Sequence, residues 1–210
     1  MKIREWLISA LFLFSFSSSA ALITNGSFEQ NDVRNNGWKW FNASDVNGWE
    51  GANIEIWDSL QRFESYDGDQ HAELNSHAWR GEYSIYQTFD SVASQRYLVS
   101  FAYAARRRSG ESFRFDIIDS NDQVLFTQIV NDHLQKQWKT FFTSFSATTS
   151  DTTIRFTSLN RGTYGNFLDD IQVETLTPLR LARAVSSPAS VGILLLACTI
   201  LYVRRSQKPH

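Results

Sequence analysis

The sequence contains a single cysteine, Cys198, among its 210 residues. One cysteine can form neither a disulfide framework nor a cysteine-based metal site. The residue lies in an apolar stretch near the C-terminus, where we interpret it as a membrane-buried thiol. Disulfide scaffolds and zinc fingers are therefore excluded for this chain.

Catalytic signatures are also scarce. His71, His77 and His133 lack the spacing of a zinc site, and the fourth histidine is the C-terminal His210. Neither a nucleophile elbow nor a phosphate-binding loop occurs in the sequence. Carboxylates are numerous enough for a glycosidase pair, but the sequence does not give their separation. We therefore predict that the protein is not an enzyme.

Positive charge is under-represented in the central part of the chain. Residues 22–178 contain 13 Lys and Arg against 21 Asp and Glu, a net charge of −8, whereas the whole chain has a net charge of −2. Proteins that bind nucleic acid need a basic face, which argues against nucleic acid as a partner. An acidic domain suits a module that binds a cation or faces a polysaccharide.

The N-terminus has the pattern of a secretory signal. Lys2 and Arg4 precede an apolar run over residues 6–16, and small residues follow up to Ala21. Basic, apolar and small-residue regions in this order are typical of a signal peptide. We predict that residues 1–21 are removed and that the protein is exported.

The C-terminus has the pattern of a membrane anchor. Residues 188–203 are apolar and are followed at once by Arg204 and Arg205. Such a stretch can span a thinned bilayer, and positive residues after it favour a cytoplasmic C-terminus. We predict a domain over 22–176, a linker over 177–187, a transmembrane helix over 188–203 and a basic cytoplasmic tail over 204–210.

Between these ends, apolar residues alternate with a period of two, which predicts β-strands. In residues 97–104, for example, Tyr97, Val99, Phe101 and Tyr103 share one face. We predict a first strand near Leu22 and further strands at 54–57, 71–74, 83–89, 97–104, 112–118, 124–130, 139–145, 152–156 and 168–173. This number of short strands predicts an all-β, two-sheet antiparallel sandwich of the jelly-roll type, whose first and last strands meet.

Five motifs in order resemble one superfamily. They are the segments 25–29 (NGSFE), 53–57 (NIEIW), 68–75 (GDQHAELN), 100–106 (SFAYAAR) and 165–173 (GNFLDDIQV). Together they resemble the galactose-binding-like jelly-roll superfamily, and most closely the carbohydrate-binding-module-like domains shared by plant cell-wall proteins and bacterial exported proteins. The resemblance covers nearly all of residues 22–174.

The tail resembles the PEP-CTERM sorting signal, which joins a short proline motif, an apolar helix and an arginine cluster. Residues 186–190 read SSPAS, so the first proline and the glutamate of that signal are missing. The resemblance implies an exosortase-type sorting enzyme as a partner. The protein is then expected in the inner membrane facing the periplasm, or at the cell surface or in the extracellular matrix after sorting.

The superfamily resemblance also implies a structural calcium ion. Related carbohydrate-binding modules hold it with a glutamate near the start, which matches Glu29, and with an aspartate of a final pair, which matches Asp169 or Asp170. Glu73 is a further candidate ligand. Calcium takes six to eight oxygen ligands, so backbone carbonyls would have to contribute. The open alternative is that these carboxylates cap turns or pair with arginines.

Strand alternation separates the two adjacent aspartates. It places Asp169 on the side of Ile171 and Val173, and Asp170 on the opposite side. One of the two is therefore expected to bind the ion directly, unless a β-bulge lets both converge.

Tryptophan is abundant in the exported part, and sugar rings stack on exposed aromatic faces. The residues that we predict to line a sugar site are Trp57, Trp79, Arg106 and Tyr164, with Trp40 less favoured. Trp49 and Trp138 are assigned to the core. For each candidate the alternative is packing in the core or at its rim.

Three consecutive arginines, Arg106, Arg107 and Arg108, follow a predicted strand. Such a run is typical of a solvated hairpin loop. The alternative is that Arg106 points inward to a ligand or a carboxylate while its two neighbours stay in water, where they can meet anionic polysaccharide.

Two functional hypotheses follow. The first is an exported, non-catalytic module that binds extracellular or cell-wall polysaccharide and is stabilised by calcium. The second is a structural or adhesive protein of the envelope or biofilm matrix without a sugar site.

Overall fold

Antiparallel strands make up most of the chain in the computed structural model, which describes residues 21–77, 82–107 and 110–176. The strands are β1 (Gly37–Phe41), β2 (Glu50–Gly51), β3 (Ile54–Asp58), β4 (Gln70–Glu73), β5 (Ser84–Asp90), β6 (Arg96–Ala105), β7 (Phe113–Asp119), β8 (Val124–Val130), β9 (Lys139–Ser146), β10 (Asp151–Ser158) and β11 (Asn166–Thr175). Two short 3₁₀ turns, Ala43–Asp45 and Leu60–Arg62, lie in the connections.

These strands form two sheets. The six-stranded sheet has the order β1-β3-β4-β11-β6-β9, and the five-stranded sheet has the order β2-β5-β10-β7-β8. All pairs between neighbouring strands are antiparallel. The predicted all-β, two-sheet antiparallel sandwich is confirmed.

Aromatic rings from both sheets meet in the core. Phe101 of β6, Phe115 of β7 and Phe156 of β10 have their ring centroids 5.0 Å apart in every pair, and each is at most 1% exposed. Full burial of such a side chain contributes about 1.5–3 kcal/mol. The period-two pattern seen in the sequence places these rings on the inner faces of their strands.

The predicted strands from residue 54 onward are confirmed, and β1 and β2 were not predicted. The predicted first strand near Leu22 is wrong, because Asn25 and Phe28 have φ of 53° and 59°, which an extended strand does not allow. The segment nevertheless contacts the last strand, since the amide of Ile171 donates to the carbonyl oxygen of Gly26 at 3.1 Å.

The predicted signal peptide ends at residue 21, and residues 1–20 lie outside the described part of the chain. The predicted linker, transmembrane helix and cytoplasmic tail also lie outside it. Among the described residues, no helix has the length and apolar character needed to cross a membrane.

Candidate functional site

The six-stranded sheet has one face in the core and one face turned away from it, which we call the outer face. Residues paired across antiparallel strands point to the same side of a sheet. The pairs Trp38 with Trp57, Glu55 with Glu73 and Glu73 with Phe167 therefore place these side chains together on the outer face. This face contains most of the residues that the sequence singles out.

An aromatic cluster covers the middle of the outer face. The ring of Phe63 stacks on Phe167 and on Trp138, with centroid distances of 5.4 and 5.2 Å, and Trp57 meets Phe167 edge-on at 5.0 Å. Trp57 is only 1% exposed. The prediction that Trp57 offers a free face to a sugar is therefore corrected, since this ring is buried in contact with Phe167 and His71.

His71 lies inside this cluster. Its ring is within 4.7 to 6.1 Å of the rings of Trp57, Phe63, Trp138 and Phe167, and it is fully buried. Nδ1 hydrogen-bonds with the hydroxyl of Ser65 at 2.8 Å. Burial lowers the pKa of His71 to about 3, so the ring is neutral at physiological pH.

Arg106, which ends the predicted motif 100–106, points inward. Its Nη1 donates to both oxygens of Glu73, at 3.0 and 2.7 Å. The guanidinium carbon also lies 4.4 Å from the ring centroid of Trp57 and 4.3 Å from that of Tyr164. Arg106 and Tyr164, both predicted for the sugar site, are thus brought together, and the alternative in which Arg106 meets a carboxylate is confirmed.

Glu73 is the buried partner of this arginine and is 0% exposed. Burial raises its pKa well above the ordinary value; the charge of Arg106 opposes that shift, and the charge of Glu55 adds to it. The amide of Gly165 donates a further bond to Oε1, at 2.9 Å. Glu73 therefore holds Arg106 and the start of β11 in place, and its predicted role as a calcium ligand is corrected to that of an ion-pair partner.

Next to Tyr164 is a polar cavity of about 350 Å³. Its lining comprises Arg107, Glu111, Asn160, Arg161 and Tyr164. The guanidinium of Arg107 lies 4.3 Å from the ring centroid of Tyr164. Tyr164 is 45% exposed, so it forms part of both the aromatic surface and the cavity wall.

Two tryptophans stand exposed on the edge strand β1. Trp38 and Trp40 are 44% and 43% exposed and lie two residues apart, hence on the same face. Trp40 was the less favoured prediction, and Trp38 was missed. The alternation Trp38-Lys39-Trp40 is the signal that could have revealed a half-exposed strand with both indoles on one side.

The other tryptophans differ in their surroundings. Trp49 is 2% exposed and stacks on Phe28 at 5.3 Å, which confirms its assignment to the core. Trp138 is half-buried and packs on the outer face, not in the sandwich interior. Trp79 lies outside the described residues, and its role in a sugar site stays a prediction.

Glu29 and Asp169 both bind the loop that precedes β4. Oε1 of Glu29 accepts hydrogen bonds from the amides of Asp69 and Gln70, at 3.0 and 2.7 Å. Oδ2 of Asp169 accepts from the amides of Tyr66 and Asp67, at 2.7 and 3.0 Å. The two carboxylates therefore hold adjacent parts of one loop against the N-terminal segment and the last strand.

Both carboxyl groups have raised pKa values. Burial is the main cause at Glu29, and the neighbouring charges of Asp69 and Asp67 add to it. Burial raises the pKa of Asp169 to about 8, against the opposing effect of its three backbone hydrogen bonds. Neither carboxylate forms an ion pair with a basic residue in the described part of the chain.

A β-bulge separates the two adjacent aspartates. The register of β11 against β6 shifts between Asp169 and Gln172, and Asp170 has a φ of 46°. Asp169 consequently faces outward while Ile171 is buried in the core, so the predicted shared side of these two residues is wrong. The side chain of Asp170 accepts a hydrogen bond from the side-chain Nε2 of Gln172, whereas Asp169 binds the loop before β4.

The four predicted calcium ligands are thus not gathered in one place. Glu29 and Asp169 share a loop, Glu73 pairs with Arg106, and Asp170 with Gln172. Over residues 21–77, 82–107 and 110–176, no group of three or more His, Cys, Asp or Glu side chains is arranged to hold a metal ion. Calcium stays a prediction, restricted to Glu29 and Asp169 with backbone oxygens.

The fold is shared with known sugar-binding modules. The carbohydrate-binding module TmCBM61, solved in complex with β-1,4-galactotriose, matches with a TM-score of 0.53 and 15% identity over 75% of this chain and 100% of its own. A family 16 carbohydrate-binding module matches with a TM-score of 0.51 and 14% identity over 73% of this chain and 99% of its own. At these identities the likeness shows the fold alone.

Enzymes also contain this fold. The α-L-arabinofuranosidase MgGH51, solved with bound arabinose, matches with a TM-score of 0.52 and 11% identity, over 75% of this chain and 26% of the enzyme. No curated protein sequence matches the chain significantly. Residues 21–174, however, match a family described as "Protein of unknown function (DUF642)", and the chain belongs to that DUF642 family.

Proposed function

We propose that this protein is a non-catalytic module that binds polysaccharide through the β1 side of the outer face. The observation that carries the proposal is the pair Trp38 and Trp40, two half-exposed indoles on one side of an edge strand. The ring of Trp38 meets His77 edge-on at 6.2 Å, and both indoles still expose much of their surface to water. Exposed indoles are costly in water but are suited to stacking on the apolar faces of sugar rings. Residues two apart on a strand are about 7 Å apart, so the pair offers room for more than one sugar ring.

The indoles continue into the arginine and tyrosine cluster described above. Trp38 is the register partner of Trp57, on whose ring Arg106 lies, and Arg106 in turn contacts Tyr164. The ion pair with Glu73 fixes the position of this arginine before any ligand arrives. Pre-arranged aromatic faces next to a few polar groups are typical of sites that bind small, hydroxyl-rich ligands.

The comparisons support the substrate class. Two structures that share the fold with a TM-score above 0.5 are carbohydrate-binding modules, and each is covered almost entirely by its match to this chain. These two neighbours are binding modules, which supports a binding role for this chain as opposed to a catalytic one. We propose that the module acts after export, at the membrane or at the cell surface, with the tail as the anchor or sorting signal.

We also propose that a structural calcium ion stabilises the module, with Glu29 and Asp169 as its side-chain ligands. Asp169 is fully buried, and only backbone amides offset its charge in the described chain. A cation beside it would relieve that cost. The ion would have a structural role and would not take part in sugar binding.

The experiment that tests the main proposal is a binding screen of the full chain against a panel of immobilised neutral and acidic polysaccharides. We expect retention on at least one polysaccharide, with competition by the same material in solution. Absence of retention on the whole panel would contradict the proposal and favour a structural or adhesive role without a sugar site.

A further inference from the structure

The cavity beside Tyr164 is lined by positively charged side chains, in contrast to the uncharged indoles of β1. Its volume is about 350 Å³, and two of its five lining residues are arginines, Arg107 and Arg161. The cavity lies where the loop after β6 approaches the loop before β11. Its walls therefore come from the same loops that position Arg106 and Tyr164.

The hydrogen-bond acceptors in the cavity wall are already occupied. Glu111 is 4% exposed, and its two oxygens accept from the amides of Arg106 and Arg107, at 2.8 and 3.0 Å. Oδ1 of Asn160 accepts from the amide of Ser112 at 2.7 Å. These hydrogen bonds fix the two loops. They also leave few oxygen atoms in the cavity wall that can accept a hydrogen bond from a ligand.

The donors, in contrast, have no carboxylate partner in the part of the chain that the structure describes. Within the described residues, neither Arg107 nor Arg161 lies within 4.0 Å of a carboxylate oxygen. Arg107 is held by its cation–π contact with the ring of Tyr164, which does not use its N–H groups. Two guanidinium groups that form no ion pair with any described residue thus line one cavity in a domain that is acidic as a whole.

We propose that this cavity binds an anionic group carried by a sugar, so that the preferred ligand is an acidic polysaccharide. The planar fork of a guanidinium matches a carboxylate or a sulfate with two parallel hydrogen bonds. The inference rests on the proposed function, because one polysaccharide molecule would extend from Trp38 and Trp40 past Tyr164 into the cavity. The carboxylate of a uronic acid and a sulfate ester share this chemistry.

Because the domain is acidic, binding of a polyanion must depend on a local site. Residues 22–178 have a net charge of −8, so a polyanion is repelled by most of the surface. Binding must then depend on the local pair of arginines and not on a general positive field. Removal of these two charges should have an effect that removal of two other surface charges does not have.

The test measures the affinity of the full chain for polygalacturonate and for dextran sulfate, which separate the carboxylate from the sulfate. The variant is Arg107→Gln/Arg161→Gln, whose residues are both exposed. The matched control is Arg34→Gln/Arg62→Gln, which removes two exposed charges outside the cavity. We expect the cavity variant to weaken binding of one polyanion at least tenfold and the control to change it less than twofold.

Two results would overturn the inference: binding of neither polyanion to the wild type, or equal loss in the cavity and control variants. A Trp38→Ala/Trp40→Ala variant separates this failure from that of the proposed function. Loss of binding in the tryptophan variant with full binding in the cavity variant would refute the cavity alone. Loss in the cavity variant with full binding in the tryptophan variant would support the cavity and refute the tryptophan surface.

Discussion

Glu73 is completely buried, and both of its carboxylate oxygens accept hydrogen bonds from Nη1 of Arg106. A buried charge costs several kcal/mol unless a partner neutralises it. Arg106 supplies the positive charge and Gly165 one backbone amide. This pair joins β4 to the end of β6 and to the loop before β11, so it positions Tyr164 as well as stabilising the fold.

The first prediction concerns this ion pair. Arg106→Met should lower the free energy of unfolding by about 2–3 kcal/mol, because Glu73 is left buried without its cation. The loss is smaller than for a fully buried pair, since the side chain of Arg106 is partly exposed to solvent. Addition of Glu73→Gln to that variant should recover part of the loss. Arg107→Met, which breaks no ion pair among the described residues, is the control. Urea denaturation of the three variants gives the measurement, and equal stabilities would contradict the assignment.

The second prediction concerns His71. Its pKa is about 3 in the folded protein and about 6.5 in an unfolded chain, so the unfolded state takes up a proton first as the pH falls. The free energy of unfolding therefore decreases as the pH falls from about 6.5 towards 3. The decrease due to His71 is about 2 kcal/mol between pH 7 and pH 5. His71→Asn should remove this contribution and give a flatter profile.

His133 does not disturb this comparison. Its pKa is also lowered by burial, to about 4, and it remains in both proteins, so its contribution cancels in the difference. The measurement is chemical denaturation at several pH values. Parallel profiles for the wild type and His71→Asn would show that His71 is not held neutral by the aromatic cluster.

The third prediction concerns the loop held by Glu29. Gly68 has a φ of 66°, and a Cβ added there would collide with the carboxylate of Glu29. Gly68→Ala should destabilise the protein by about 2–4 kcal/mol, through backbone strain and displacement of that carboxylate. Gly162→Ala is a matched control, since its φ is 87° but no atom lies within 4 Å of its Cβ. The control should cost only about 1 kcal/mol.

The fourth prediction concerns calcium. A ligand that binds only the folded state raises its stability. Removal of calcium with a chelator should therefore lower the melting temperature of the wild type but not that of Asp169→Asn. An unchanged melting temperature in the wild type would mean that Glu29 and Asp169 hold the loop through backbone amides alone.

Much of the fold follows from the sequence because the pattern that encodes it is local. Strands such as β7 alternate Phe113, Phe115 and Ile117 with polar residues, and the three apolar side chains are fully buried. Strand β1 escaped prediction because an edge strand with two exposed indoles does not show an apolar inner face. Its status depends on pairing with β3, which is a long-range relationship.

The site was predicted less completely because exposure is a tertiary property. Trp57 and Trp38 are register partners on one face, yet the first is 1% exposed and the second 44%. Trp57 packs against Phe167 and His71 and lies under the guanidinium of Arg106, whereas the one ring contact of Trp38 among the described residues is with His77. The position of the bulge after Asp169 was not predicted either, because it depends on a left-handed φ at Asp170, and the alternation of the surrounding residues is that of a regular strand.

The central claim is that Trp38 and Trp40 form the sugar-binding surface. The most direct measurement is the calorimetric affinity of the full chain for the best polysaccharide found in the screen, compared with that of Trp38→Ala/Trp40→Ala. Phe142→Ala, an exposed aromatic on β9 at the opposite edge of the same sheet, about 24 Å away, is the control. We predict a loss of at least tenfold for the tryptophan variant and less than twofold for the control, with both proteins folded. Unchanged affinity in the tryptophan variant would contradict the account.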